Sequence, residues 1–186
     1  MFLGFIDIKT LFVMGHIFGA VLGAGGAFLS DALFFSSIKD GRLSRTELRF
    51  MTLGSRFVWF GLGVLILSGI GLFFTDPARY LVSTKFLSKM VIVTVIFLNG
   101  IVFHVYHLPL FRKHVGVRLA QSAEFVRRSG GVMASGAISM ISWVSTLVLG
   151  SLHAVPYSMM VILSVYAAIV FMGVSTAWAI KGKIVR

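Results

Sequence analysis

Residues 9–35 read KTLFVMGHIFGAVLGAGGAFLSDALFF. Between Lys9 and Asp31 there is no Asp, Glu, Lys or Arg, and the run is long enough to cross a hydrocarbon core of about 30 Å. Apolar residues fall on every face, so the helix this stretch predicts has no solvated side. With that span taken as 9–36, four more stretches meet the same length: 50–74, 84–110, 130–151 and 156–180. A tilted transmembrane strand needs only about half as many residues, which excludes a barrel. The expected fold class is all-α: one domain, residues 1–186, built as a bundle of five transmembrane helices.

Composition agrees with that reading along the whole chain. Of 186 residues, 58% are hydrophobic and 12% charged, with a mean hydropathy of +0.96. A soluble domain carries about a quarter charged residues. The balance excludes a soluble enzyme, a disordered tail and a nucleic-acid-binding domain, despite the net charge of +11. With no Cys, the chain has neither disulfides nor thiolate metal ligands.

The connectors hold the charge. Lys39, Arg42, Arg45, Arg49 and Arg56 surround the first connector, Arg112, Lys113, Arg118, Arg127 and Arg128 the third, and Lys181, Lys183 and Arg186 the tail. The opposite side keeps Lys9, Arg79, Lys85 and Lys89. Lys and Arg are retained in the cytoplasm, so the N-terminus is expected outside and the C-terminus inside, in a multi-pass protein of the inner (cytoplasmic) membrane. The basic excess then meets anionic lipid heads of the bilayer, and no nucleic acid. No cleavable signal is expected, and residues 112–129 read equally as a loop or as a short amphipathic helix.

Ionisable residues inside a span are costly, so each is a candidate for function. His16 lies among Gly15, Gly19, Gly23 and Ala27, a small-residue stripe that admits another helix or leaves room for a flat macrocycle. Lys89 falls at about the depth of His16, where the two could ligate a metal centre or hold an anionic group; the alternative is that Lys89 snorkels. His153, in the outer connector, could reach the same layer. His104 and His107, three apart, would share a helical face about 22 Å deeper than Lys89. With Asp31 they would make two imidazoles and a carboxylate, a set suited to a divalent metal or copper; Asp31 could instead pair with Arg56. Asn99 is expected to hydrogen-bond across helices, and Ser135, Ser139, Ser142 and Thr146 to line a helix–helix contact or a polar pathway. Trp59, Trp143 and Trp178 read as interface anchors or cofactor walls, and His114 as a solvated loop residue. There is no phosphate loop, no paired catalytic carboxylates and no His-Glu-x-x-His run. Six acidic residues in all argue against carboxylate-based proton pumping.

Three stretches, HIFGAVLGAGGAFLSDALFF, SRFVWFGLGVLILSGIGLFF and FLSKMVIVTVIFLNGIVFH, resemble the first three helices of CopD-type copper-resistance membrane domains and of HemJ-type protoporphyrinogen oxidases, over about residues 10–110. The chain departs from the HemJ pattern in lacking a Trp just before the Lys helix, and its nine Met are scattered rather than gathered in an outer motif. The resemblance implies a bundle that binds haem b or handles copper, with its polar fixed points at His16 and Lys89. The function expected is b-type haem binding in electron transfer or redox chemistry, so that any enzyme activity would be that of a haem-dependent membrane oxidoreductase. In this reading His16 is the iron ligand, Lys89 or His153 is a second ligand or propionate partner, and a redox partner or quinone is implied. The alternatives are a metal-ion permease or sensor using His104, His107 and Asp31, and a structural subunit or assembly factor. The Gly15–Gly23 stripe also allows a homodimer.

Overall fold

The computed structural model describes residues 7–39 and 41–184, without the side chains of residues 38–39 and 182–184; the expected cytoplasmic charges of Lys39, Lys183 and Arg186 thus lie outside the described side chains. Among the described residues the elements are α1 (Ile8–Lys39), α2 (Arg45–Thr75), the short α3 (Pro77–Leu81), α4 (Thr84–Val102), a π-helical turn (Phe103–His107), α5 (Leu108–Lys113), a 3₁₀ turn (Leu119–Gln121), α6 (Ala123–Ser151) and α7 (Met159–Ile184). α4, the π turn and α5 run on as a single rod, so five helices are long and apolar enough to cross a membrane. The first four expected spans fall inside them; the fifth, expected from 156, starts three residues later at Met159. Polar caps set where they start: Ser44 and Glu47 form a capping box on α2, Ser83 caps α4, and Ser122 caps α6.

Glycine governs how α1 meets α2. A Cβ on Gly19 would stand 2.7 Å from Gly61 O, and one on Gly26 would stand 2.6 Å from Gly54 O, so backbone lies against backbone. Gly23 receives the indole of Trp143 from α6. The stripe is therefore filled by spans two and four. That corrects the expectation that the stripe would leave room for a macrocycle or a second copy.

Two apolar clusters hold the bundle. Ala24, Ala27, Leu62, Leu65, Ile96 and Trp143 form one at mid-height. Phe34, Leu43, Met51, Phe111, Leu119, Phe125 and Met133 anchor the other near the basic connectors. Many remaining large apolar side chains point outward, and no described residue of α7 is buried, as suits helices whose solvent is lipid.

The basic connectors fold onto each other. Residues 42–43 bridge to 118 and 115, Gly116 N donates to Leu43 O at 2.8 Å, and Leu119 N donates to Gly41 O at 3.0 Å. Gly41 and Gly116 sit at φ +70° and +78°, where a side chain would be strained. No amphipathic helix spans 112–129: α5 ends at Lys113, and α6 begins at Ala123. His114, expected in solvent, is 5% exposed. Its Nδ1 lies 2.8 Å from Leu110 O and its Nε2 2.6 Å from Ser122 Oγ, so Nδ1–H donates and Nε2 accepts. The connector wraps the bundle end, and the imidazole is what ties it there.

Candidate functional site

A cavity of about 50 Å³ lies between the two apolar clusters, where α1, α2, α4 and α6 converge. Its apolar wall includes Ala27, Phe34, Met51, Ile96, Phe111 and Trp143. Its polar wall is Ser30, Asp31, Ser55, Asn99, Ser135 and Ser139. Liquid water takes about 30 Å³ per molecule, so one or two waters fill the space.

Three of these six groups, Ser30, Asn99 and Ser135, are already hydrogen-bonded, and of the other three only Asp31 has a fully buried atom left without a partner. Ser30 Oγ donates to Gly26 O at 2.9 Å within α1. Asn99 Nδ2 donates to Ser135 O at 3.0 Å, and Ser135 Oγ donates to Asn99 Oδ1 at 2.8 Å, which clamps α4 to α6 as expected for Asn99. The serine row of α6 divides its work: Ser142 bonds to Tyr166 of α7 at 2.8 Å, Thr146 donates to its own helix, and Ser139 faces the cavity.

Asp31 is the exception. Its Oδ2 is buried with no hydrogen-bond partner, and so is Nε1 of Trp143, which is 1% exposed. Oδ1 faces Gly136, where a Cβ would lie 3.3 Å away. Arg56 is exposed on α2 and forms no ion pair with Asp31; the ion pairs among the described residues join Glu124 to Lys113 and Arg128. A carboxylate without a positive partner in a low-dielectric interior carries several kcal/mol of uncompensated desolvation. Functional sites in membrane proteins are where such a group is tolerated.

His104 and His107 part company. Pro109 has no N–H and would clash with the carbonyl four residues back, and the helix widens ahead of it into i→i+5 bonding, with Leu108 N donating to Phe103 O. Residues three apart no longer share a face on that wider turn. His104 is exposed and His107 is 8% exposed. Among the described residues no three His, Asp or Glu side chains gather as metal ligands, so Asp31, His104 and His107 are not brought together.

At the end of the bundle away from the basic connectors, two residues do come into relation. His16 Nδ1 lies 3.2 Å from Ser68 Oγ on α2, and Lys89 is near enough for its charge to act on the ring. Lys89 Nζ sits by Gly150, and Lys85 Nζ donates to Leu152 O, so two lysines neutralise the carbonyl end of α6. His153 is exposed beyond that end. The surroundings of His16 test the fit of haem b. His16 lines neither the central cavity nor the groove beside His107, and the glycines next to it are filled by Gly61, Leu65 and Trp143. Neither of these two spaces therefore offers a haem site at His16.

The sequence placed Asp31 among the site residues but gave it the wrong neighbours. The nearest available signal was the shared helical register of Ser135 and Ser139 opposite Asn99. Compared with protein-family models, curated proteins and solved structures, the chain matches none of them.

Proposed function

We propose that this multi-pass membrane protein takes up and releases a proton at Asp31, inside a small, mainly apolar cavity with one polar wall, shared by four of its helices. The observation that carries the reading is the buried, unpartnered Oδ2 of Asp31 beside that cavity. A carboxylate in that position is neutralised by a proton or by a bare cation. The space is too small for a hydrated ion or an organic substrate, whose pockets run to about 300 Å³ and more. The small number of acidic residues, which argued against carboxylate chemistry, matters less than the placement of one of them. In the orientation that the basic connectors favour, the cytoplasmic apolar cluster closes the inner side of the cavity and Trp143 stands toward the outer side.

Proteoliposomes with an internal pH dye and an imposed potassium diffusion potential test the proposal. The wild-type protein is expected to acidify the lumen faster than empty vesicles, and Asp31→Asn to abolish the difference. Equal flux from Asp31→Asn, or no flux above empty vesicles, overturns it. A sodium dye in parallel vesicles separates a bare cation from a proton.

Haem binding in electron transfer is the second reading. Its support is that Lys89 is near enough to His16 for its charge to act on the ring, and neither cavity described above adjoins His16. Bound haem b would supply one-electron chemistry at its iron. Oxidised and dithionite-reduced spectra of the purified protein test it: a Soret band lost in His16→Ala restores this reading, and a featureless spectrum after added haemin removes it.

A further inference from the structure

A second site lies at the basic end, apart from Asp31. The π turn and the second turn of α6 enclose an open groove of about 310 Å³ lined by Tyr106, His107, Arg127, Arg128 and Gly131. His107 is more than nine-tenths buried, and its Nε2 has no hydrogen-bond partner. Both arginines are exposed. Arg128 makes only a loose 3.9 Å approach to Glu124, whose other oxygen is held by Lys113 at 2.5 Å, and Arg127 has no ion pair among the described residues. A Cβ on Gly131 would meet nothing within 4 Å, so the floor beside the arginines is clear.

We infer that this groove binds a phosphate group, with Arg127 and Arg128 as guanidinium donors and His107 as a third donor once its ring turns the buried, unpartnered Nε2–H into the groove. Guanidinium forks match the paired oxygens of a phosphate, and an imidazole N–H donates to a third oxygen without adding charge. A cation is disfavoured because the groove's one nearby carboxylate is engaged elsewhere. His107 is turned inward from the π turn while its neighbour Tyr106, on the rim of the groove, is 60% exposed. Two sources supply such a group: the head of an anionic phospholipid, reached sideways from the bilayer, or a soluble phosphate ester. Basic pockets between membrane helices on the cytoplasmic side take lipid heads of this kind.

The test is the melting temperature of the detergent-purified protein, followed by tryptophan fluorescence. Phosphatidylglycerol is expected to raise it by about 5 °C, as a ligand well above its Kd does for a chain of this size, and phosphatidylcholine to leave it unchanged. The shift is expected to vanish in Arg127→Gln/Arg128→Gln, to shrink in His107→Phe, and to persist in Arg45→Gln/Arg49→Gln, which removes equal charge from exposed positions at the same end. If inorganic phosphate at millimolar concentration reproduces the shift and removes the lipid's effect, the site stands and its source is soluble. No shift in the wild type, an undiminished shift in Arg127→Gln/Arg128→Gln, or an equal loss in Arg45→Gln/Arg49→Gln overturns the inference.

Discussion

Asn99 and Ser135 hold α4 to α6 by exchanging two hydrogen bonds, each residue donating one and accepting one. This reciprocal pair lines the same cavity as Asp31. Interhelical hydrogen bonds within membranes average about 0.6 kcal/mol each. Asn99→Ala is therefore expected to lower stability by about 1 kcal/mol, read as a fall in melting temperature in detergent. An unchanged melt would mean that water replaces the amide.

Replacing Asp31 by Asn removes the carboxylate's charge at nearly constant volume. Because Oδ2 has no partner, the substitution is expected to raise stability by about 1 kcal/mol while abolishing proton flux. Destabilisation on the scale of Asn99→Ala would reveal a partner for the carboxylate and argue against its role.

The glycines of α2 divide cleanly. A Cβ on Gly61 would lie 2.6 Å from Gly19 O, while one on Gly63 meets nothing within 4 Å. Gly61→Ala is expected to cost about 1–3 kcal/mol by forcing the helices apart, and Gly63→Ala close to nothing. Paired melts of the two variants decide this, and equal melts would refute the backbone-to-backbone packing.

His114→Ala takes the acceptor from the Ser122 hydroxyl, which keeps its cap bond from Phe125 N–H, and loosens the folded-back connector. The expected loss is about 1–3 kcal/mol, as for a buried group deprived of its partner. Trypsin should then cut after the exposed Arg118 sooner than in wild type. Unchanged proteolysis would show that the backbone bonds at Gly41 and Gly116 suffice.

Much of this architecture was legible in the amino-acid order, because crossing a bilayer demands length and uniform apolarity. The five spans, the interhelical role of Asn99 and the common depth of His16 and Lys89 all follow from position along a straight helix. What escaped depends on departures from one. Pro109 announced a disturbance but not its form, and the wider turn it sits behind separated His104 from His107. His114 looked solvated because its connector is basic, yet that connector folds back and buries it. Asp31 was seen as costly, but which helices surround a carboxylate is decided by three-dimensional packing that no single segment encodes. The partners of the glycine stripe were hidden for the same reason.

The slot at Gly23, which takes Trp143, bears on how the chain is made. α1 and α2 are complete by residue 75 and already fit backbone to backbone, so they form a hairpin in the bilayer while later residues are still being synthesised. Trp143 emerges much later and closes the space above Asp31. A half-made chain thus contains the carboxylate but not its chamber, so the proton site proposed at Asp31 is incomplete until the fourth span is in place.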